Sequence, residues 1–367
     1  MDKIKYIHFI GIGGISMSAI AQILLAGGKK VSGSDRAASD MTAKLEDMGA
    51  KIFIGQRAEN IQNPDLVVYT AAIANDDSEL CAARAKGIRC LERAEFLGEL
   101  IKEYSLPIAV CGTHGKTTTT SMLSCIYMKA EKDPTILVGG VLDKIGGNLL
   151  IGGKDYMIFE ACEYKDSFLH FGPKATIALN LEEDHLDYFS GIEAIKDSFA
   201  RFFDKLPDDG FAVINADDPE LVDAASRSGC KKVYYGIEKG DFIAANIDYD
   251  GEGHPCFDVM HNGEKLAHVQ LKEYGMHNVS NAVGAFALAY TEGVAVDKIV
   301  EGLEDFGGTG RRFELRCQVN GAKVYDDYAH HPTEIKATLL AAQAIPHNKI
   351  WCVFQPHTYT RAKMFKD

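Results

Sequence analysis

Residues 106–121 read LPIAVCGTHGKTTTTS, an apolar run followed by a glycine turn, Lys116-Thr117 and a helical pattern. This order is typical of a loop that wraps a polyphosphate with the backbone N–H groups at a helix start. The Lys116 ammonium would reach the terminal phosphates, and the Thr117 hydroxyl is a suitable Mg²⁺ ligand. Val110 replaces the first glycine of the commonest motif, so a chance glycine turn is the alternative. We predict a phosphate loop that comprises Gly112, Thr113, His114, Gly115, Lys116, Thr117 and Thr118.

The composition narrows the classes of protein. A chain of 367 residues is long enough for two or three domains. Its net charge of -13, without a run of Lys or Arg, makes nucleic acid an unfavourable partner. The nine cysteines have no C-x-x-C spacing, which argues for reduced thiols in a cytoplasmic protein and against a zinc site or a disulfide framework. No apolar run reaches the ~18 residues of a membrane span, so no membrane partner is expected.

The order of apolar runs predicts an α/β fold in three domains. Residues 1–103 alternate short strands with helices, which predicts a Rossmann-like parallel sheet. Residues 104–310 contain the phosphate loop and further strands, and the alternation from Phe242 to Leu271 predicts antiparallel strands, so the central sheet is expected to be mixed.

The third predicted domain, residues 311–367, follows the glycine-rich segment 307–310, which reads as a hinge. It has strand candidates at Lys323–Asp326 and Lys349–Phe354, with a helix over Pro332–Gln343 between them. Two strands are too few for a stable α/β domain, so we expect the chain to be cut inside this domain.

A second glycine turn follows the first strand. It contains Gly11, Gly13, Gly14 and Ser16, and Asp35 comes after the second strand, where a Rossmann fold has its ribose-binding acid. Ser16 replaces the last glycine of the fingerprint. A dinucleotide, another nucleotide and a structural turn therefore remain open readings of this segment.

Acidic residues and a histidine follow two strands of the central domain. Glu160 and Glu163 end one strand candidate, where a carboxylate would hold Mg²⁺ opposite a phosphate loop. The alternative is a solvated acidic turn. The next strand ends at Asn180, and His185 lies between acids just beyond it. His185 is a candidate ligand of a second cation, or an ordinary surface histidine.

Polar clusters farther along the chain suit a nucleotide and a small carboxylate. His277, Asn278 and Asn281 open an apolar helix, where amides and an imidazole edge match adenine, although asparagine also caps helices. Arg312 would clamp a phosphate or pair with surface acids. Asp327 follows a strand, at the edge where open α/β sheets gather ligands. The same cluster contains His330 and His331, and Arg361 could hold a carboxylate with two hydrogen bonds or belong to a plain loop.

Taken together, these segments resemble the Mur ligases of peptidoglycan synthesis. The matching segments are GIGGISMSAIA (11–21), GTHGKTTTT (112–120), FEACE (159–163), LEEDHLD (181–187), MHNVSNA (276–282), GTGRRFE (308–314), DDYAHHPTE (326–334) and QPHTYTR (355–361). The resemblance spans the chain in order, and it is greatest to the branch that joins L-alanine to the lactyl carboxylate of UDP-N-acetylmuramate with ATP and Mg²⁺. It implies an N-terminal UDP-sugar domain, a central ATP-binding domain and a C-terminal ligase domain that is incomplete here.

The resemblance also implies residue roles. Lys116 would bind the β- and γ-phosphates, Thr117 and Glu160 the first Mg²⁺, and His185 a second Mg²⁺ beside the substrate carboxylate. Catalysis would depend on Lys116, Glu160 and His185. For ATP, the resemblance implies adenine binding by His277, Asn278 and Asn281, ribose binding by Asp327 and phosphate binding by Arg312. For the amino acid, it implies alanine binding by His330, His331 and Arg361. For the UDP-sugar, it implies substrate binding by Asn180, by Asp35 and by the turn of Gly11, Gly13, Gly14 and Ser16, and this turn would bind the UDP pyrophosphate.

The chain departs from the family pattern at two places. Cys162 stands where members often have Asp, so a metal role at that position is doubtful. Residues 199–201 have no lysine where later ligases of the pathway carry a carbamylated one. The rival functions are a ligase that adds a recycled tripeptide to the same sugar, a UDP-sugar sensor without catalysis, and an NAD oxidoreductase that would leave the phosphate loop unexplained.

Overall fold

The computed structural model describes residues 3–356 and 363. These residues form three β-sheets, and each sheet lies within one of the three domains predicted from the sequence. The fold is mixed α/β, as predicted. No helix among the described residues combines the length and the apolar character that crossing a bilayer requires.

The first sheet has five parallel strands in the order β3-β2-β1-β4-β5, which confirms the predicted parallel sheet. The strands are β1 (Tyr6–Ile10), β2 (Lys30–Asp35), β3 (Lys51–Ile54), β4 (Leu66–Tyr69) and β5 (Arg89–Glu92), and the helices are α1 (Ile15–Ala26), α2 (Asp40–Asp47), α3 (Ser78–Ala85) and α4 (Arg93–Leu100). The strand order changes direction between β1 and β4. The turn after β1 therefore lies at the edge where open α/β sheets bind ligands.

The second sheet has ten strands in the order β15-β14-β13-β12-β11-β10-β6-β9-β7-β8. Its strands are β6 (Leu106–Cys111), β7 (Thr135–Leu142), β8 (Gly147–Leu150), β9 (Tyr156–Glu160), β10 (Ala175–Ala178), β11 (Phe211–Asn215), β12 (Lys231–Gly236), β13 (Phe242–Tyr249), β14 (Pro255–His261) and β15 (Glu264–Gln270). In the spatial order β13-β12-β11-β10-β6-β9-β7, each strand is parallel to the next. By contrast, β8, β14 and β15 are antiparallel to the strands beside them. The predicted mixed sheet and its antiparallel end are thus confirmed.

Five helices accompany the second sheet: α5 (Lys116–Lys129), α6 (Ile192–Phe203), α7 (Pro219–Ser226), α8 (Met276–Thr291) and α9 (Val296–Asp305). The apolar faces of α5, α8 and α9 share one buried core with the sheet. Gly302 of α9 lies so close to α5 that a Cβ atom there would come within 2.4 Å of the Ile126 Cα. This close packing fixes the direction of α5, whose first residue is Lys116.

The N-terminal and central sheets also share an apolar core. Phe96 and Leu97 of α4 belong to the same buried cluster as Phe168 and Phe202. Gly98 allows α4 to approach this region, because a Cβ atom there would lie 2.1 Å from the carbonyl oxygen of His170. The glycine turn after β1 is therefore held in a fixed relation to the central sheet.

The third sheet is a two-stranded antiparallel ribbon of β16 (Glu314–Val319) and β17 (Ala322–Asp326), followed by α10 (Pro332–Ala344). The predicted strand Lys349–Phe354 is wrong, since residues 349–354 have no strand structure. Trp351 is 79% exposed and Val353 is 97% exposed. An apolar alternation becomes a strand only where a neighbouring strand supplies hydrogen bonds, and none of the described residues does so here.

A buried polar network crosses the first sheet. His8 and Glu79 are both fully buried, with His8 Nε2 3.5 Å from Glu79 Oε2. His8 Nδ1 lies 2.8 Å from Ser32 Oγ, and Ser34 Oγ donates to Glu79 Oε2 at 2.5 Å. Burial opposes ionisation of Glu79, but the hydrogen bonds from His8, Ser34 and Asn60 outweigh it and lower the pKa of this carboxyl.

We expect Glu79→Gln to lower the free energy of unfolding at pH 7 by about 1–3 kcal/mol, because hydrogen bonds to a charge are replaced by weaker ones. Since the pKa of Glu79 is lower in the folded chain, the unfolded chain binds more protons as the pH falls below about 4.5, the ordinary value. The difference between wild type and variant should therefore shrink on acidification. Urea unfolding at several pH values measures this difference in the free energy of unfolding, and Glu59→Gln, at an exposed residue, is the control. A difference that grows towards low pH would contradict the network.

Candidate phosphate-binding site

The loop between β6 and α5 has a backbone that glycine makes possible. Gly112 has φ +132° and Gly115 has φ +83°, both in the left-handed region. A Cβ atom at Gly112 would lie 3.0 Å from Leu179 Cβ, and one at Gly115 would lie 3.0 Å from Asn281 Oδ1. The loop is therefore pressed between β10 and α8, with the N-terminus of α5 directly after it.

Asn180, just beyond β10, holds this loop in place. Its Oδ1 accepts a hydrogen bond from the His114 N–H at 2.7 Å, and its Nδ2 donates to the His114 carbonyl at 3.1 Å. The Asn180 carbonyl accepts a third hydrogen bond from Thr113 N–H at 3.1 Å. The side chain of Asn180, which the sequence predicts to bind substrate, contacts the loop backbone because the end of β10 lies beside the end of β6.

Lys116 folds back over the loop. Its ammonium donates to the carbonyls of Gly112 at 2.5 Å and Thr113 at 3.0 Å, and Glu163 Oε2 lies 3.3 Å away. Burial by itself would lower the pKa of Lys116, but the charge of the buried Glu163 outweighs it, with Glu160 also contributing, and the pKa is raised. Lys116 is therefore a permanent cation at the mouth of the loop, where phosphate oxygens would replace its contacts to the carbonyls.

Thr117 and Glu160 meet, as the sequence predicted. The Thr117 hydroxyl donates to Glu160 Oε2 at 3.2 Å, and Gly139 N–H donates to Glu160 Oε1 at 2.5 Å. A Cβ atom at residue 139 would lie 2.7 Å from the carboxylate, so glycine leaves the space that the carboxylate occupies. Burial raises the pKa of Glu160 although Gly139 and Lys116 oppose this. A hydroxyl and a half-buried carboxylate beside a phosphate loop fit the oxygen ligands that Mg²⁺ prefers.

His185 lies on the other side of Glu163. Its Nε2 is 4.0 Å from Glu163 Oε1 and 3.7 Å from Asp184 Oδ2. The residue has φ +53°, and its ring packs against that of Tyr164 at a tilt of 30°, with the ring centroids 4.5 Å apart. Glu163 thus connects Lys116 to His185.

A cavity opens between the loop and the C-terminal segment. Residues on α8 and after β17 line it together with the loop residues His114, Gly115 and Thr118. The predicted nucleotide-binding residues that line it are His277, Asn278, Asn281, Arg312 and Asp327. The structure therefore brings together segments that are as much as two hundred residues apart in the sequence.

Three of these predicted residues make internal hydrogen bonds. Asn278 Nδ2 donates to the Tyr274 carbonyl at 2.8 Å, and Asn281 Nδ2 donates to Asn278 Oδ1 at 3.2 Å. The Asp327 carboxylate also binds the backbone, because it accepts hydrogen bonds from the N–H groups of Phe313 at 3.1 Å and Ala329 at 2.7 Å. Both amides thus have a structural role in the first turns of α8, but neither caps the helix, whose N-cap is Gly275 without a side-chain hydrogen bond.

The second of the two histidines before α10, His331, lies against the phosphate loop. His331 caps α10, and its ring lies 4.5 Å from that of His114. His114 Nδ1 is 3.1 Å from Glu334 Oε1, and His330 N–H donates to Glu334 Oε2 at 3.1 Å. Burial opposes protonation of His114, but Glu182 and Glu334 outweigh it and raise the pKa of His114 to about 9. Arg361, predicted to bind alanine, lies outside the described residues.

The first glycine turn forms a separate site on the N-terminal sheet. Gly13 N–H donates to Asp35 Oδ2 at 2.8 Å, and a Cβ atom at Gly13 would lie 2.8 Å from that oxygen. Arg93 Nη1 donates to Ser16 Oγ at 3.3 Å, so a guanidinium stands beside the start of α1. The exposed Gly14 completes the turn that begins at Gly11 with φ +84°.

Several side chains at the two sites carry no specific prediction from the sequence. These are Glu182 and Glu334, which flank His114, and Arg93, which contacts Ser16. Glu182 and Glu334 stand inside the segments LEEDHLD and DDYAHHPTE, so their neighbourhood was a usable signal. Arg93 opens a charged helix with no motif of its own, and only the packing of α4 shows its position.

A parallel N-terminal sheet, a central sheet with a lysine-bearing phosphate loop, and a threonine–carboxylate pair beside that loop define a nucleotide-using α/β enzyme of several domains. The chain matches the Mur ligase family catalytic domain over residues 6–105, the Mur ligase middle domain over 110–289 and the Mur ligase glutamate ligase domain over 311–366.

Curated relatives cover the whole chain. It is 52% identical over 367 residues to UDP-N-acetylmuramate–L-alanine ligase of Clostridium acetobutylicum and 51% identical over 366 residues to that of Clostridium botulinum strain Okra, in each case over 100% of this chain and 80% of the relative. The chain therefore belongs to the Mur ligase family, whose members are ATP-dependent amide-forming ligases.

Solved structures show the same architecture. The chain aligns to UDP-N-acetylmuramate-alanine ligase from Thermotoga maritima with a TM-score of 0.80 and 32% identity, over 92% of this chain and 77% of that one. It aligns to a murein peptide ligase from Psychrobacter arcticus with a TM-score of 0.79 and 32% identity, over 92% and 76%. The fold by itself does not separate these two activities.

Proposed function

We propose that this protein joins L-alanine to the lactyl carboxylate of UDP-N-acetylmuramate with the hydrolysis of ATP to ADP and phosphate. The observation that carries the proposal is the identity of 50–52% along the whole chain to curated enzymes of that name. The proposed location is the cytoplasm, because free cysteines are typical of proteins in a reducing compartment.

The ATP phosphates would bind the loop of residues 112–118, with Lys116 on the outer phosphates. Mg²⁺ would be held by the Thr117 hydroxyl and Glu160, which share a hydrogen bond of 3.2 Å. His185 and Glu163 would hold a second Mg²⁺, because an imidazole and a buried carboxylate lie 4.0 Å apart there. When bound, Mg²⁺ supplies positive charge that reduces the repulsion between the phosphates and the attacking carboxylate.

The reaction asks for positioning more than for a protein nucleophile. A lactyl carboxylate oxygen attacks the γ-phosphorus and the bond to ADP breaks, which gives an acyl phosphate. The amine of L-alanine then attacks the acyl carbon, phosphate leaves with the bonding electrons, and the amine proton is lost. Lys116 would stabilise the charge on the transferred phosphoryl group because it is a half-buried cation whose raised pKa keeps it protonated.

The other substrates would bind around this centre. Adenine would lie against His277, Asn278 and Asn281 in the cavity, with ribose and phosphate towards Asp327 and Arg312. We assign the UDP pyrophosphate to the turn Gly11–Ser16, with Arg93 as an added cation and Asp35 as a support of the turn. L-alanine would bind near His330, His331 and Arg361. The proposed domains are residues 1–103, 104–310 and 311–367.

The second candidate is a ligase that adds a whole tripeptide to the same sugar, because the murein peptide ligase from Psychrobacter arcticus aligns almost as well in structure. A phosphate-release assay on the complete polypeptide distinguishes the two, with UDP-N-acetylmuramate, ATP and separate amino acids or the tripeptide. We expect release that depends on L-alanine, with less from L-serine or glycine and none from the tripeptide. Release with the tripeptide alone would favour the second candidate, and none with any acceptor would contradict both.

A further inference from the structure

A cluster of three side chains lies between the phosphate loop and the start of α10. His114 comes from the loop after β6, Glu182 from the segment after β10, and His331 from the residue that caps α10. One nitrogen or oxygen atom of each lies within 4.8 Å of those of the other two. We infer that His114, Glu182 and His331 form a binding site for a divalent transition metal ion of the zinc type.

Two of the three separations fit such an ion. His114 Nε2 lies 3.5 Å from Glu182 Oε2, and His331 Nδ1 lies 3.6 Å from the same oxygen. His331 Nδ1 also accepts the cap hydrogen bond from the Thr333 N–H at 3.3 Å, which it would exchange for the bond to the metal. With zinc bonds of about 2.0–2.2 Å to nitrogen and oxygen, two ligands of a tetrahedral ion are about 3.3–3.6 Å apart. Two imidazoles and one carboxylate leave a fourth position for water. This donor set favours zinc, cobalt or nickel over magnesium, which prefers oxygen ligands.

The surroundings orient the ligands. Glu334 Oε1 lies 3.1 Å from His114 Nδ1, an arrangement that keeps a proton on Nδ1 and directs the Nε2 lone pair towards Glu182. His114 Nε2 is buried and makes no hydrogen bond with any of the described residues. The Thr333 hydroxyl donates to Glu182 Oε2 at 2.6 Å and fixes the carboxylate. Metal sites have such outer hydrogen bonds as a rule.

The site is distinct from the proposed magnesium ligands. Thr117, Glu160 and His185 belong to other contacts, and none of them is in this cluster. An ion bound to His114, Glu182 and His331 would tie α10 to the phosphate loop and the central sheet. It has to displace a proton, because the neighbouring carboxylates raise the pKa of His114 to about 9.

The test is Co²⁺ titration of the nucleotide-free protein in phosphate-free buffer at pH 8, followed by visible absorption. We expect one equivalent of Co²⁺ to give the intense bands of a four-coordinate ion and Zn²⁺ to displace it. Glu182→Gln and His331→Gln should lose these bands. Glu334→Gln, which alters an outer hydrogen bond, should weaken binding about 10- to 100-fold. Zn²⁺ should also raise the melting temperature of the wild type and leave that of Glu182→Gln unchanged.

His185→Gln and Glu160→Gln are the controls for the magnesium ligands, and His347→Gln is the control for a histidine elsewhere in the C-terminal segment. All three should keep the wild-type Co²⁺ spectrum. The inference is overturned if wild type shows only the weak bands of six-coordinate Co²⁺, if Glu182→Gln and His331→Gln retain the intense bands, or if the magnesium-ligand variants lose them. Circular dichroism without metal checks that each variant is folded. This test needs no ligase activity, so its outcome is independent of the proposed function.

Discussion

Replacing Lys116 by Ala should lower kcat/KM for alanine-dependent phosphate release about 100- to 1000-fold. This loss equals about 3–4 kcal/mol of transition-state stabilisation, the amount typical of removing one preorganised donor. Lys116 is the cation at the start of α5, and its three contacts, to two loop carbonyls and Glu163, hold it at the mouth of the phosphate loop. Because negative charge moves to the leaving oxygen of ADP during transfer, we expect kcat to fall more than KM for ATP rises.

The matched control is Lys129→Ala at the other end of α5, where the ammonium pairs with Asp305 at 3.2 Å on the surface. It should keep activity within about twofold, since a surface ion pair contributes at most about 1 kcal/mol to stability. Lys116→Ala also leaves the buried Glu163 without its cation, so its melting temperature is measured alongside. Near-normal kcat/KM in a folded Lys116→Ala protein would show that the loop does not bind the reacting phosphates.

Glu160→Gln should lower kcat about 100-fold and raise the Mg²⁺ concentration needed for half-maximal rate. The glutamine oxygen can accept from the Gly139 N–H while its amide N–H donates to the Thr117 hydroxyl oxygen, so the shape of the site is preserved while the charge that would bind Mg²⁺ is lost. Bound metal is first removed with EDTA, and this removal should abolish the wild-type rate of phosphate release. The rate is then measured as a function of the Mg²⁺ concentration added back.

Glu301→Gln, on the exposed surface of α9, is the control for removing one negative charge and should keep the wild-type Mg²⁺ dependence. If Glu160→Gln needs no more Mg²⁺ than wild type, the carboxylate is not a metal ligand and only stabilises the loop through Gly139 and Thr117. The result for Lys116→Ala would be unaffected, so the two predictions are independent.

Much of the fold could be predicted because its signals are local. The strand Tyr156–Glu160 is an unbroken apolar run before an acid, and the structure has it at those residues. The short strands Lys51–Ile54 and Arg89–Glu92 had no such signal, because they are half-exposed edges with charged residues at their ends. The apolar pattern of residues 349–354 predicted a strand that the structure does not have. Strand formation depends on a neighbouring strand with which to pair, and the local pattern does not show whether there is one.

The candidate site divides in the same way. The glycines at 112 and 115, the Lys116-Thr117 pair and the acid at 160 follow from backbone geometry and charge within a few residues, and the sequence by itself determined them. Only the tertiary structure decided that Glu163 joins Lys116 to His185, and that Glu334 reaches His114 across 220 positions of the chain. Parallel strands and packed helices bring distant side chains to one sheet edge, and such contacts depend on strand order and helix direction. No single stretch of sequence contains that information.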